Sequence, residues 1–293
     1  RMLEAPTAEE SCKILIECGY PPLEHCTLEE VETLLALSRA ELYREVAVLA
    51  PDKRIVELFQ LKYDYHNAKL ALKAKLTGED VSRLVIDCGR YDASALLRGE
   101  RGMLSSRMGR AMAQAEKEAE GGDIRRAELT LDRACFEEMS ELAGATGNDF
   151  LIGYVALQID AIDLRTLVRA QRMGASDELL SAALLPGGHI PAEQLKTARG
   201  DRLAELTRGS ALSAAGELAA ATLGGSGSLT AFERACDDAL VRYLQRARRT
   251  PFGPEVIVGY LSAKEAEFTA VRTIFKEDPV IAEDSLAPSC ELG

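Results

Sequence analysis

Tryptophan is absent, and eight tyrosines and seven phenylalanines are the whole aromatic content of 293 residues. Long apolar runs are missing as well. The most apolar window, Ala211 to Leu223, is interrupted by Glu217, well short of the roughly 18 to 20 residues that span a bilayer, so any membrane role is peripheral. The amino-terminal RMLEAPTAEE has no apolar core of the signal-peptide kind. There is no basic run, and 47 acidic residues against 35 Lys and Arg leave a net charge of −12, which argues against nucleic acid as a partner. Histidine is limited to His25, His66 and His189, none spaced as a ligand pair. The seven cysteines (12, 18, 26, 88, 135, 236 and 290) form no CxxC. That excludes the common zinc patterns and leaves buried, reduced thiols in a cytosolic protein as the simplest account.

What the chain has in quantity is Ala, Leu, Glu and Arg, the composition of an all-helical protein with enough apolar residues for a substantial core. It also has a repeat. The segment DYHNAKLALKAKLTG, starting at Asp64, aligns without a gap on DAIDLRTLVRAQRMG, starting at Asp160, and more loosely on EFTAVRTIFKED, starting at Glu267. In register, Leu58, Leu61, Tyr65, Ala68 and Leu72 stand over Tyr154, Leu157, Ala161, Leu164 and Val168. The third copy supplies Leu261, Lys264, Phe268, Val271 and Phe275, so only Lys264 breaks the seam. Spacings of 3, 4, 3 and 4 are one face of an α-helix. Three long amphipathic helices are expected.

Charge repeats too. Lys69 and Lys73 align with Arg165 and Arg169, and with Arg272 and Lys276, each pair on one helix flank. Asp64, Asp160 and Glu267 place an acid one turn earlier. The plain expectation is a solvated face with intrahelical ion pairs worth a few tenths of a kcal/mol. The functional expectation is that these six cations meet a partner or brace contacts between lobes.

A second motif precedes each long helix. ILIECGY, ending at Tyr20, recurs as LVIDCGR at residues 84–90 and, degraded, as ALLPGGH at 183–189, placing a turn at Gly19, Gly89 and Gly188. Met2 to Pro6 reads as the end of a helix that starts earlier. Thr7 with Glu10 is a capping box for a helix from Ala8 to about Cys18, and Thr27 with Glu30 one for a helix to Leu49. Ala50-Pro51-Asp52 breaks into the first long helix. Further helices are expected from about Met103 to Ala119, from the Asp123 cap to Leu142, near Ser210–Thr222, and from Leu229 to Arg248. Pro254 suits the first turn of the third long helix. After Lys276 apolar periodicity fades. No segment reads as a strand. Three lobes follow: residues 1–78, 79–174 and 175–293.

Catalytic patterns fail one by one. Asp160 and Asp163 lie three apart, and Asp237-Asp238 are followed by Ala-Leu-Val-Arg, so the aspartate-rich motif of a helical, Mg²⁺-dependent diphosphate enzyme is incomplete. No Glu-x-x-His pair exists for a di-iron site. His66 has Ile162 and Thr269 as its repeat equivalents and is expected to be structural. Gly224-Gly225-Ser226-Gly227 follows no strand and precedes no Lys-Ser or Lys-Thr, which leaves a helix turn. No catalytic, cofactor or metal residue is expected.

Three segments in order, KYDYHNAKLALKAKLTG, GNDFLIGYVALQIDAIDLRTLVRAQRMG and TPFGPEVIVGYLSAKEAEFTAVRTIFK, resemble the C subunits of the A/V-type rotary ATPases, called d subunits in eukaryotes, over residues 3 to 277. The resemblance implies three helical-bundle lobes with pseudo-threefold repetition, arranged as a funnel. It implies a non-catalytic rotor part on the cytoplasmic face of the membrane, seated on the ring of proteolipid subunits and receiving the D- and F-type shaft subunits. It implies no cofactor and no small-molecule substrate. The family starts with one more amino-terminal helix, has Asn-Val-Arg where this chain has Ala270-Val271-Arg272, and ends in a short helix where this chain has the segment after Lys276. The competing expectation is a generic helical scaffold for an unrelated protein. A helical enzyme acting on a diphosphate is a third.

Overall fold

A computed structural model describes residues 1–5 and 7–277 of the chain, and every regular element among the described residues is helical. The expectation of an all-α fold holds. The tail after Lys276, apart from Glu277, and Cys290 lie outside the described residues.

Polar caps fix most helix starts. Thr7 accepts the N–H of Glu10 and opens α1 (Ala8–Glu17). Thr27 does the same for Glu30 at the head of α2 (Leu28–Leu49). The Glu30 carboxylate, however, passes over the cap residue and accepts the N–H of His25, a looser box than expected. Asp52 caps α3 (Lys53–Thr77), which ends at Gly78 in the left-handed region. A short α4 (Ala93–Leu97) precedes α5 (Ser106–Glu120) and α6 (Ile124–Thr146), the last capped by Asp123. Asn148 caps α7 (Asp149–Met173). Three short helices follow: α8 (Asp177–Ala183), α9 (Ala192–Thr197) and α10 (Arg202–Thr207). Then come α11 (Ser213–Leu223), α12 (Leu229–Gln245) and α13 (Pro254–Glu277). The glycine-rich loop is a turn, in which the Ser226 and Gly227 N–H groups both bond the Ala221 carbonyl before Ser228 caps α12. Short helices escape periodicity because five to seven residues hold less than two turns of pattern.

The chain divides into two compact units. Residues 50–259 form the larger one, in which α3 packs along α6 and against α4 and α5, while α7 packs along α6, α11 and α12. Residues 1–49 and 260–277 form the smaller, so both ends of the described chain contribute to it. There Arg39 and Tyr43 of α2 reach Glu265 of α13, and Arg39 lies 5.0 Å over the Phe268 ring.

Every seam residue read from the repeat except Lys264 is buried. Lys264 stays at the edge, its ammonium 2.7 Å from Glu267 and over the rings of Tyr20 and Phe268. An ammonium over two ring faces keeps its charge while covering apolar surface, which is how a lysine sits in a leucine position. The long helices are buried on more than the expected stripe. Phe59, Tyr63, Asn67 and Leu70 of α3, and Val155, Ile159, Asp163 and Leu167 of α7, form a second buried row. Each such Leu contributes about 1.5 to 3 kcal/mol of burial. The expectation of a largely solvated polar flank is therefore corrected: Asp64 and Asp160 are buried, at 0% and 3% exposure.

Candidate functional site

What those two aspartates do is hold a turn. Asp64 Oδ1 accepts the backbone N–H groups of Arg90 (2.9 Å) and Tyr91 (3.3 Å), and Oδ2 takes the Arg90 guanidinium at 2.7 Å. Asp160 repeats this: Oδ1 accepts the N–H of Ile190 at 2.9 Å, and Oδ2 accepts the His189 N–H at 3.1 Å and its ring Nδ1–H at 3.0 Å. In both, the carboxylate lies where a Cβ on the turn glycine would stand. A Cβ at Gly89 would be 2.1 Å from Asp64 Oδ1, and one at Gly188 would be 2.3 Å from Asp160 Oδ1. These glycines are needed for closeness and not for backbone angle. Gly19 is the reverse case, with φ +94° and open space around it.

A second rung lies one turn along each helix. Asn67 accepts the N–H of Ile86 (3.1 Å) and donates to its carbonyl (2.8 Å), closing a ring on the residue three before Gly89. Asp163, three after Asp160 as Asn67 is three after Asp64, accepts the N–H of Leu185, three before Gly188, at 2.9 Å. A carboxylate cannot also donate to that carbonyl, so this rung has one bond where the other has two. Burial and the neighbouring Asp160 charge push the Asp163 carboxyl up to about 7, against the Leu185 N–H and the Arg133 charge. In α13 the position is Ala270 and the rung is lost. There the phenolic O–H of Tyr20, next to Gly19, donates to Glu267 at 2.5 Å.

Around the first clasp the polar network extends to α6, though Nη2 of Arg90 is buried without a hydrogen-bond partner among the described residues. Arg90 also donates to Glu138 of α6 at 3.0 Å, and Glu138 accepts the Tyr65 hydroxyl at 2.8 Å. Burial pushes the Asp64 carboxyl upward against the pull of Arg90 and the two backbone N–H groups. Tyr65 is driven well above the usual phenol range by burial and by the Glu138 charge. Taken alone, such shifts point to chemistry, yet every one of these groups is occupied in binding its own chain.

The six repeated cations are each paired. Lys69 meets Asp132 of α6, Arg165 meets Asp237 and Arg169 meets Glu233 of α12. Arg272 and Lys276 share Glu32 of α2, and Lys73 meets Glu79 just past its own helix. Asp132 and Asp237 are each the ninth residue of their helix, so the Lys69 and Arg165 pairs are structural equivalents. His66 is half-buried with Nε2 3.0 Å from the Leu84 carbonyl. Of the six described cysteines, four are buried, while Cys18 is exposed and Cys26 half-buried, which corrects the expectation of uniformly buried thiols. Among the described residues no group of three or more His, Cys, Asp or Glu side chains converges as a metal site would require, and no helix is long and apolar enough to cross a membrane.

Sequence reasoning found the glycine turns and the repeated acids separately and missed that they bind each other. The signal was present: Asp-x-x-Asn at 64–67 and Asp-x-x-Asp at 160–163, each answered by an apolar tripeptide, 84–86 or 183–185, that ends three residues before Gly89 or Gly188.

Fold and clasps together define an all-helical protein in which two long helices, α3 and α7, each fasten a short turn through a buried aspartate. The chain belongs to the ATP synthase (C/AC39) subunit family, whose family model matches residues 1–276. It is 23% identical to the V-type sodium ATPase C subunit of Enterococcus hirae over 94% of this chain and 86% of that one. Against the V-type ATP synthase C subunit of Thermus thermophilus, identity is 26% over 84% of this chain and 76% of the relative. Against the A-type ATP synthase C subunit of Methanothermobacter thermautotrophicus, it is 26% over 83% and 69%.

Proposed function

We propose that this chain is a non-catalytic central-stalk component of an A/V-type rotary ATPase, a socket that couples the rotating shaft to the ion-translocating membrane ring. The observation that carries the reading is the family match along residues 1–276, with relatives named as the C subunits of V-type and A-type enzymes. Its partners would be D- and F-type shaft subunits on one side and the proteolipid ring on the other, at the cytoplasmic face, with no cofactor or substrate of its own.

Physical arguments support it. A part that transmits torque must resist shear between its helices, and buried acid–turn clasps do so with charge-assisted hydrogen bonds inside a low-dielectric core. We further propose that the three lobes, 1–78, 79–174 and 175–293, share their turns, since the acid of each long helix holds the turn that opens the next lobe, and Glu267 holds Tyr20 of the first. The six cations then serve as braces within the bundles, each tied to a neighbouring acid. Partner binding is better served by apolar side chains that the larger unit leaves exposed: Ile152 in α7, and Phe252 and Val256 around the start of α13, with Phe252 at 84% exposure.

The test is capture of the folded chain by purified shaft subunits and, separately, by detergent-solubilised ring, at two salt concentrations. Binding to both is expected, little changed by salt and weakened by Phe252→Ser. Binding that collapses in salt would move the six cations from braces to interface. Binding to neither, by a chain shown to be folded, would overturn the coupling role in favour of a helical scaffold for another protein.

A further inference from the structure

The six repeated cations are all paired, but the larger unit carries four arginines that are not. Arg242, Arg246, Arg248 and Arg249 lie at the end of α12 and in the 3₁₀ turn that follows it (Arg246–Arg249). Interleaved with Tyr243, Leu244, Gln245 and Ala247, they form no long basic run in the sequence. All four are exposed, and among the described residues none has an ion pair. Cations are favourable in the last turn of a helix, which accounts for one or two of them and not for four. Their place is fixed by packing. Ala247 is buried, and a Cβ on Gly259 of α13 would stand 3.2 Å from its own. The Tyr243 hydroxyl donates to the Phe150 carbonyl at the head of α7 at 3.0 Å. Asn148, the cap of α7, donates to Glu255 at the head of α13, also at 3.0 Å. The close of α12 and the heads of α7 and α13 therefore make one end of the larger unit. There the four arginines outnumber Asp149 and Glu255, the acids in the first turns of α7 and α13. The loop 250–253 lies at the same end. Pro251 and Pro254 flank it, Gly253 turns it at φ +108°, and Phe252 is the most exposed large apolar side chain among the described residues.

We propose that this end is a binding surface for anionic phospholipid, with the arginines on headgroup phosphates and Phe252 entering the interface between them. A guanidinium matches two phosphate oxygens at once. An apolar ring beside clustered cations is what a charged bilayer surface takes up, the ring at the boundary of headgroups and acyl chains and the cations at the phosphates. A protein partner would have to supply a pocket for Phe252 as well as acids for the arginines, whereas a bilayer supplies both along any line of approach. Charge also sets orientation. A chain of net charge −12 is repelled by an anionic bilayer, but screening within about 8 Å at physiological ionic strength leaves only the nearest charges to act, so it is turned basic end first. The inference deepens the coupling reading and rests on it for the presence of a bilayer beside the chain. A membrane ring and the lipid around it end at one level, and Phe252 can meet either.

The experiment sediments the full chain with vesicles of phosphatidylcholine alone, or of phosphatidylcholine with one-third phosphatidylglycerol, at low and high salt. Each variant is first shown by thermal melting to be folded. The expected result is binding to the phosphatidylglycerol vesicles only, lost in high salt. Arg248→Gln/Arg249→Gln should weaken it by about fivefold for each arginine removed. Phe252→Ser should weaken binding and keep the preference for anionic lipid. The control is Arg208→Gln/Arg234→Gln, which removes the same charge from exposed arginines elsewhere in the larger unit. Equal losses in the two double variants, or equal binding to neutral vesicles, would overturn the proposal. So would a chain that shaft and ring capture but vesicles do not, and the coupling role would then stand with the arginines facing protein. Vesicle binding by a chain that neither shaft nor ring captures would uphold the lipid surface and remove the coupling role.

Discussion

Tyr20 and Glu267 stand 247 positions apart and share a hydrogen bond of 2.5 Å. Burial works to raise the Glu267 carboxyl, but the hydrogen bonds from Lys264 and Tyr20 outweigh it and hold the group below its usual range. A depressed carboxylate contributes stability that is present above its unfolded pKa and lost as pH falls through the folded one. Tyr20→Phe and Glu267→Gln are each expected to destabilise by about 1 to 2 kcal/mol. In a double-mutant cycle by urea denaturation they should be non-additive. Additive losses would mean that the two groups are stabilised by other neighbours and not by each other.

Glycine at the clasps is required for contact distance. Gly89→Ala and Gly188→Ala each drive a methyl into a carboxylate oxygen, and a loss of about 2 to 4 kcal/mol is expected from the displaced buried acid. Gly109, inside α5 with nothing near its missing Cβ, is the control. Gly109→Ala should stabilise by about 0.5 to 1 kcal/mol, because helix propensity alone is at stake. Thermal melting of the three variants separates the two uses of glycine.

Asp163 holds a place where its repeat equivalent is Asn67. Its folded pKa of about 7 lies above the ordinary carboxylate value, so the folded chain binds the proton more tightly than the unfolded one. The sign follows: the Asp163 contribution is most favourable below about pH 4 and is lost as pH rises through 7, by on the order of 4 kcal/mol at most. Asp163→Asn supplies the missing donor and removes the charge. The variant should be close to wild type near pH 4 and increasingly more stable from pH 5 to 8, read as the difference between urea midpoints. A difference that is flat with pH would show that Asp163 is ionised throughout.

Arg90 neutralises two carboxylates, Asp64 at 2.7 Å and Glu138 at 3.0 Å, in a place where none of the three is freely hydrated. Arg90→Ala leaves both acids buried without a cation and is expected to cost about 3 to 5 kcal/mol. Adding Glu138→Gln to it should recover part of the loss, since one uncompensated charge disappears while the Tyr65 hydroxyl keeps an acceptor. Stability measurements that show no recovery would place the whole effect on the turn itself.

Much of this was readable in advance. The 3-4 spacing placed fourteen buried side chains correctly on three helices, because amphipathic periodicity is set locally by the helix itself. The fate of Asp64 and Asp160 was not readable. An aspartate inside a helix is ordinarily solvated, and what buries these two is a turn 26 and 29 residues further on whose N–H groups have no other acceptor. Lys69 and Arg165 were visible as equivalents, but the acids that take them, Asp132 and Asp237, sit in helices whose sequences share little beyond that position. Periodicity describes one helix at a time, whereas a clasp belongs to two segments at once.

The smaller unit is assembled from residues 1–49 and 260–277. A chain is made from its amino end, so α1 and α2 leave the ribosome more than two hundred residues before the helix that completes their core. During that interval Arg39 and Tyr43 of α2 lack Glu265 and Phe268 of α13, which they meet in the folded unit. These contacts cannot form until α13 has been made, and a chain cut short before Tyr260 never forms them. Synthesis of α13 is thereby a checkpoint on the packing of α2.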